Sequence, residues 1–270
     1  MSRKLHKFQT EAEYQAYSAS TAYTTPCVAL IVDTNVIYYD YGSNKPQAPD
    51  LSDFKGEFQE SSVGGDYYGK NAITKINYIP SSTTSLESAF ENYASLQEVT
   101  CEIPSGVTNM SSTFFGCSSL VNAPVMSDSV ADMSYTFNGC SSLVNAPVMP
   151  DSVTEITYTF KDCISLINVP NISSSITDMM FTFDGCLSLV SSPAITSSVT
   201  DMFRTFRNCT SLKELTLLPT TPPSMQSALQ GCSSLESIYV PDSAVDAYKT
   251  ATNWSEFSSN IKPLSSKPTE

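Results

Sequence analysis

Residues 120–143 read LVNAPVMSDSVADMSYTFNGCSSL, and a close copy of this stretch begins again at Leu143. Leucine, methionine, phenylalanine and cysteine stand at fixed offsets in both copies. Six of the eight cysteines extend the pattern at intervals of 23 residues, at Cys117, Cys140, Cys163, Cys186, Cys209 and Cys232. A period of 20–29 residues indicates one supersecondary unit per repeat, which buries its apolar face only when neighbouring units stack on it.

Three apolar columns accompany the cysteines. Leucine or isoleucine opens each unit at Ile73, Leu96, Leu120, Leu143, Leu166, Leu189, Leu212 and Leu235. Phenylalanine stands three residues before the cysteine position, at Phe90, Phe114, Phe137, Phe160, Phe183 and Phe206, with Leu229 in the last full unit. A third column stands four residues earlier still, at Leu86, Met110, Met133, Ile156, Met179, Met202 and Met225.

These columns predict a leucine-rich-repeat-like solenoid of about eight coils over residues 73–240. The opening segment of each unit is short and extended, as one strand of a parallel ladder would be. The spacing Met-x-x-x-Phe-x-x-Cys is i, i+4, i+7, which puts the three side chains on one face of a helical or 3₁₀ turn. We therefore expect one parallel strand and one such turn per coil, with the phenylalanines and cysteines in the core.

The pattern Val/Ile-Thr-Asp-Met-x-x-x-Phe-x-x-Cys-x-Ser-Leu resembles the BspA-type leucine-rich repeats of bacterial surface proteins. The resemblance covers about residues 73–240. The following segment, residues 238–249 and then Trp254, is similar to the C-terminal cap of such arrays, so residues 241–270 are interpreted as cap and tail. The resemblance implies an adhesive or scaffolding protein.

The first 72 residues lack the repeat. The capping-box pattern Thr10-Glu-Ala-Glu13 predicts a short helix, and two apolar runs, 27–32 and 36–39, predict a hairpin. Residues 1–45 are thus interpreted as a small N-terminal attachment module of helix plus hairpin, and residues 46–72 as a linker or irregular cap. The segments 5–8, 11–14 and 23–26, with the predicted hairpin that follows them, are similar to the openings of structural proteins from gut Bacteroides bacteriophages.

Charge excludes several partner classes. The net charge of −13 disfavours nucleic acid and anionic membrane surfaces, because phosphate binding requires clustered lysine and arginine. No apolar run is long enough to span a bilayer and no export signal is visible near Met1, so the sequence predicts a protein made and kept soluble in a cytoplasm. Homo-oligomers are compatible with these features.

The sequence does not indicate an enzyme or a cofactor. The single histidine, His6, precedes the array, so no Ser-His or Cys-His pair can form within the coils. The cysteine column lacks the close pairs typical of zinc sites, and we interpret these residues as buried free thiols. Cys27 and Cys101 lie outside the column and receive no role.

Two polar columns run beside the core. Acidic residues recur one coil apart and are interpreted as a solvated edge, with Ca²⁺ bridging as the metal-binding alternative; they are Asp132, Glu155, Asp178 and Asp201. Asn122, Asn145 and Asn168 form a shorter column near the predicted strand, where their amides would satisfy turn backbone groups.

An aromatic row is the candidate binding surface. Tyr135, Tyr158 and Phe181, continued by Arg204, stand two residues before the core phenylalanines and should point away from the core. Such a row suits contact with a protein partner or stacking on a sugar ring, and the competing interpretation is that it covers the solenoid edge.

The leading functional hypothesis from the sequence is a structural or binding component of a phage virion, such as a fibre, head-decoration or tail-associated protein. In this hypothesis residues 1–45 attach the protein and the repeats present a surface for protein or glycan. The alternative is an adhesin of the BspA-like type on the bacterial cell surface.

Overall fold

The computed structural model describes residues 73–268 except positions 80, 82, 170 and 171, together with the backbone of four strands upstream. Those strands are β1 (Lys4–Phe8), β2 (Cys27–Ile31), β3 (Val36–Asp40) and β4 (Lys55–Phe58). The next two are β5 (Ile73–Tyr78) and β6 (Glu98–Val99). All six belong to one sheet in the order β1-β2-β3-β4-β5-β6.

Sheet pairing changes direction twice in this order. The outer pairs β1–β2 and β5–β6 are parallel, whereas β2, β3, β4 and β5 pair antiparallel. The β2–β3 pairing is that of the predicted hairpin, with Ile31 opposite Val36. The predicted helix after Thr10 lies outside the described residues.

Strand β4 lies within residues 46–72, which the sequence predicts to be a linker or irregular cap. Its sequence, Lys-Gly-Glu-Phe, has no apolar alternation, so it gives no strand signal of its own. A strand between two others makes backbone hydrogen bonds along both edges, which stabilise it without such a pattern. The sheet is therefore continuous across the expected boundary at residue 45, from β1 to the first coil at β5.

Coils stack in register along the repeat. Parallel bridges join Asn122, Asn145 and Asn168 at one edge, and Asn109, Asp132 and Glu155 at another. The core phenylalanines stack on one another from coil to coil, with ring centroids 5.4–5.6 Å apart from Phe90 to Phe206. Each ring is completely buried, and burial of a side chain of this size contributes about 1.5–3 kcal/mol.

The expected helical or 3₁₀ turn is absent from the described coils, where a chain of β-turns takes its place. In one coil, the N–H groups of Thr136 and Cys140 each bond the carbonyl three residues earlier. The N–H groups of Tyr135, Phe137 and Gly139 instead donate to the next coil. Because alternate N–H groups point along the stack, each donor finds a partner without the continuous i−4 ladder that an α-helix requires.

The C-terminal end of the stack has an ordinary sheet and a cap. Strands β7 (Ser191–Ile195), β8 (Glu214–Leu217), β9 (Ser237–Val240) and β10 (Ile261–Pro263) are all parallel, in the order β10-β9-β8-β7. Helix α1 (Val245–Thr250) and 3₁₀ turns at Asp242–Ala244, Trp254–Phe257 and Leu264–Ser266 surround β10.

Two aromatic residues attach the cap to the last coils. Tyr248 and Trp254 are buried and pack edge to face at 5.0 Å. The Tyr248 hydroxyl donates to the carbonyl of Pro219 at 3.0 Å, and the Trp254 indole donates to Pro223 at 2.9 Å. Each large ring thus buries its apolar area while its polar atom keeps a hydrogen bond.

Candidate binding surface

A left-handed backbone position generates the surface. One residue in each coil is the third residue of the turn that begins at the methionine column, and it has φ between +53° and +60°. The residues at this position are Ser88, Ser112, Tyr135, Tyr158, Phe181, Arg204 and Ser227. A residue with a Cβ is uncommon in this region, and the conformation costs about 1 kcal/mol.

The large side chains at this position form a stack of their own, separate from the core. The rings of Tyr135 and Tyr158 are 4.5 Å apart at 8°, and those of Tyr158 and Phe181 are 4.4 Å apart at 12°. Phe203 follows, edge to face with Phe181 at 5.3 Å. We call Tyr135, Tyr158, Phe181 and Phe203, ending on Arg204, the aromatic ridge.

The aromatic ridge lies at the surface. Tyr135 is 36% exposed, while Tyr158, Phe181, Phe203 and Arg204 are half-buried. Neighbouring rings cover most ring faces, so solvent reaches the ring edges and the tyrosine hydroxyls. The exception is the outer face of Tyr135, since the preceding coil has only Ser112 at this position. The four residues that the sequence singled out are therefore brought together in one continuous row.

Arg204 stacks on the last two rings. Its guanidinium carbon lies 5.4 Å from the ring centre of Phe181 and 5.1 Å from that of Phe203, both within cation–π range. Phe203 was missed by the sequence reasoning because it stands one residue off the periodic position. The signal available was an aromatic residue directly before the arginine that continues the row.

Burial raises the pKa of the Tyr158 hydroxyl above its ordinary value, and the Tyr135 hydroxyl acts in the same direction. The positive charges of Lys161 and Arg204 act in the opposite direction on that pKa. The Tyr158 hydroxyl is therefore neutral at neutral pH, able to donate and accept hydrogen bonds.

The acidic column has a local structural role. Asp132 accepts a hydrogen bond from the N–H of Ser134 at 2.8 Å, and Asp178 and Asp201 accept the equivalent bonds at 2.7 and 2.8 Å. These bonds satisfy the N–H just before the left-handed residue, as in an Asx turn. Among the described residues, no three histidine, cysteine or acidic side chains are placed to hold a metal ion together.

The cysteine column faces inward. Each thiol from Cys117 to Cys232 donates to the carbonyl of the phenylalanine one coil back, at 3.0–3.2 Å. Five of the six are completely buried and Cys232 is half-buried. Burial raises the pKa of Cys140, Cys163, Cys186 and Cys209 well above the usual thiol value, and neighbouring thiols add to the effect.

A buried threonine column was missed by the sequence reasoning. Thr113, Thr136, Thr159, Thr182 and Thr205 are completely buried, and each hydroxyl bonds the carbonyl of the methionine-column residue one coil back. For Thr136 the distance to the Met110 oxygen is 2.9 Å. The signal available was its constant place, one residue before each core phenylalanine from Phe114 to Phe206. These hydroxyls join adjacent coils from inside the stack.

The asparagine column lies on an exposed edge. Asn168 donates its side-chain amide to the side-chain oxygen of Asn145 at 2.8 Å, which joins these two neighbouring coils. Nearby, Val125 and Val148 are 66% and 80% exposed on a loop that follows a proline. These two valines, at equivalent positions of adjacent coils, form a second exposed apolar surface.

Comparison with known proteins concerns the repeat. The family model described as BspA type Leucine rich repeat region matches residues 61–182 and 133–258, with 6 copies. A comparison with curated proteins finds no significant match. Within the described residues, the helices are too short or too polar to cross a bilayer.

Two solved structures are similar. One is a leucine rich cell surface protein from Faecalibacterium prausnitzii A2-165, at 22% identity and a TM-score of 0.41 over 68% of this chain and 64% of that one. The chain thus spans less than two thirds of that protein's length. The other is a leucine-rich repeat protein from Bacteroides ovatus ATCC 8483, at 18% identity and a TM-score of 0.44 over 88% of this chain and 74% of that one.

Proposed function

Because the chain belongs to the BspA-type leucine-rich repeat family, we propose that it is a non-enzymatic binding protein whose aromatic ridge contacts a partner protein. One observation carries the proposal. Four successive coils place Tyr135, Tyr158, Phe181 and Arg204 at a left-handed position where the flanking coils have serine. Strained residues that are also large and surface-exposed point to a use beyond folding.

The chemistry of the ridge suits a protein partner. Tyrosine and arginine are enriched among the residues that contribute most to protein interfaces, because they bury large areas and still offer hydrogen bonds. Sugar recognition uses open ring faces, and in this row the neighbouring rings occupy most of them. The free outer face of Tyr135 is the observation that favours a glycan as the second candidate.

The cell surface of a bacterium is the setting we favour over a virion. It agrees with the surface proteins that the repeat pattern resembles, whereas the similarity to phage structural proteins rests on short segments within residues 1–45. Residues 1–45 are proposed to be the attachment module and residues 241–270 the cap of the array. Antibodies against the array should label intact cells of the source bacterium and leave purified phage particles unlabelled; the reverse result would restore the virion hypothesis.

A displayed library of short random peptides, together with an array of immobilised glycans, tests the binding proposal. The variant combines Tyr135→Ser, Tyr158→Ser and Phe181→Ser, since serine already occupies this position in three other coils. Peptides enriched by the wild-type protein should lose binding to this variant and keep binding to the control Val148→Ser. If the peptides bind the triple variant as well as the wild type, the aromatic ridge is not the binding surface. If only glycans bind in a way that depends on the ridge, the partner is a glycan and not a protein.

A further inference from the structure

Arg204 has no carboxylate partner among the described residues. Its Nε atom is buried without a hydrogen bond, while the side chain as a whole is half-buried. Stacking on Phe181 and Phe203 holds the group in place instead. A guanidinium fixed by rings on one side keeps its planar donor edge free for an incoming acceptor.

Basic residues are concentrated at this face. Between positions 76 and 248 the chain has only four, namely Lys161, Arg204, Arg207 and Lys213. Lys161, Arg204 and Arg207 lie on turn segments that also carry residues of the aromatic ridge. Cations are therefore scarce in the array, whose chain has a net charge of −13, and most of them lie close to the aromatic ridge.

The other two cations of this face are already paired. Arg207 bonds both carboxylate oxygens of the buried Asp184 at 3.0 and 3.1 Å through Nε, with a further contact of 2.9 Å, and this carboxylate raises the pKa of Arg207. Lys161 pairs with Asp162. Arg204 is thus the cation of the ridge that is left to meet a ligand.

We infer that the Arg204 end of the aromatic ridge binds an acidic segment of the partner protein, whose carboxylate accepts from the guanidinium while adjacent apolar side chains contact the ring edges. This inference rests on the proposed function. Carboxylate and guanidinium match in planar geometry, and hydrogen bonds between charged groups are stronger than neutral ones. At about 4.8 Å per coil and about 3.3 Å per residue, a ridge of four coils accommodates an extended segment of about five residues.

A peptide is favoured over an acidic saccharide for a geometric reason. Uronic acids would also offer a carboxylate, but their rings need an open aromatic face beside it. The faces of Phe181 next to Arg204 are covered by Tyr158 and by Arg204 itself. Within the ridge, the open face is that of Tyr135, which lies three coils away from the charge.

Two peptide libraries provide the test, one with Asp or Glu fixed at a central position and the other with Asn or Gln there. Their binding to the full chain is compared for wild type, Arg204→Gln, Arg204→Lys and the control Lys213→Gln, an exposed cation on another edge. The acidic library should bind better, and Arg204→Gln should weaken its best binders about tenfold. Arg204→Lys should restore part of the loss, and Lys213→Gln should change little.

The outcomes separate this inference from the proposed function. Peptides that require Tyr135, Tyr158 and Phe181 but bind equally with Arg204→Gln would overturn the acidic partner and leave the binding surface intact. Peptide binding that depends neither on the three ring residues nor on Arg204 would overturn both the acidic partner and the proposed binding surface. Binding of an oligogalacturonate probe through Arg204, without binding of the acidic peptides, would also overturn the acidic peptide partner, since the ligand would then be a glycan. Melting curves of each variant verify that the array remains folded.

Discussion

The thiol of Cys163 donates to the carbonyl oxygen of Phe137, one coil back, at 3.1 Å. The same oxygen also accepts the N–H of Cys140. Each cysteine therefore links two coils with a weak hydrogen bond inside the core. This bond gives the column a structural role that requires neither a disulfide nor a metal ion.

Thiol-reactive reagents should leave the buried column untouched in the native protein. The five thiols from Cys117 to Cys209 are completely buried, and burial raises the pKa of Cys140, Cys163, Cys186 and Cys209, so the reactive thiolate is scarce. Mass spectrometry after brief labelling should find them unmodified, and labelling after unfolding should modify them all. The half-buried Cys101 and Cys232 serve as internal comparisons. Rapid labelling of Cys140 or Cys163 under native conditions would contradict the buried column.

Alkaline pH should destabilise the array. Burial raises the pKa of the column thiols from Cys140 to Cys232 above the usual 9.0, to about 12 for Cys232. Above pH 9 the unfolded chain therefore releases thiol protons that the folded chain retains. Stability is full below the unfolded pKa and is lost as pH rises above it, by up to about 1.4 kcal/mol per pH unit for each thiol.

Urea unfolding between pH 7 and pH 10.5 measures this effect. The control is the double variant Cys140→Ala and Cys163→Ala, which removes two of the titrating groups and should make the decline shallower. Equal slopes in the two proteins would show that the thiols are not its source.

Core and ridge phenylalanines should differ in their effect on stability. Phe160 is completely buried between Phe137 and Phe183, so Phe160→Ala should lower the free energy of unfolding by about 3–5 kcal/mol. Phe181 is half-buried in the aromatic ridge, and Phe181→Ser should cost about 0.5–1.5 kcal/mol, the value of an aromatic pair.

Chemical unfolding of the two variants makes the comparison directly. A loss for Phe181→Ser as large as that for Phe160→Ala would mean that the ridge belongs to the core. The correct interpretation would then be the alternative to binding, in which the aromatic row only covers the edge of the solenoid.

The aromatic row could be predicted from sequence because the coils stack in register, so residues one period apart in the sequence are neighbours in space. Tyr135 and Tyr158 had to meet once the coils were placed on one another. The i, i+4, i+7 spacing did not predict the turn conformation, since β-turns can bring the same three side chains to one side. Strand β4 and Phe203 were missed because neither follows the period. Strand β4 depends on pairing with β3 and β5, and Phe203 joins the ridge through its contacts with Phe181 and Arg204.

A second left-handed position per coil did leave a sequence signal that the apolar columns obscured. It lies just before the cysteine position or its equivalent, and its residues are those that best tolerate positive φ: Asn92, Gly116, Gly139, Asp162, Gly185, Asn208 and Gly231. Alternation of Gly, Asn and Asp at a fixed offset indicates a turn, not a helix, because glycine destabilises a helix interior.

Substitution at Gly139 tests this turn. An added Cβ would lie 3.6 Å from Gly116, an ordinary contact, so Gly139→Ala isolates the backbone strain at φ +75°. We expect a loss of about 1–2 kcal/mol in the free energy of unfolding. Gly139→Asn should cost less, because asparagine adopts the same conformation in two other coils, at Asn92 and Asn208. Urea denaturation of both variants measures the difference, and a smaller loss for alanine than for asparagine would contradict a left-handed turn at this position.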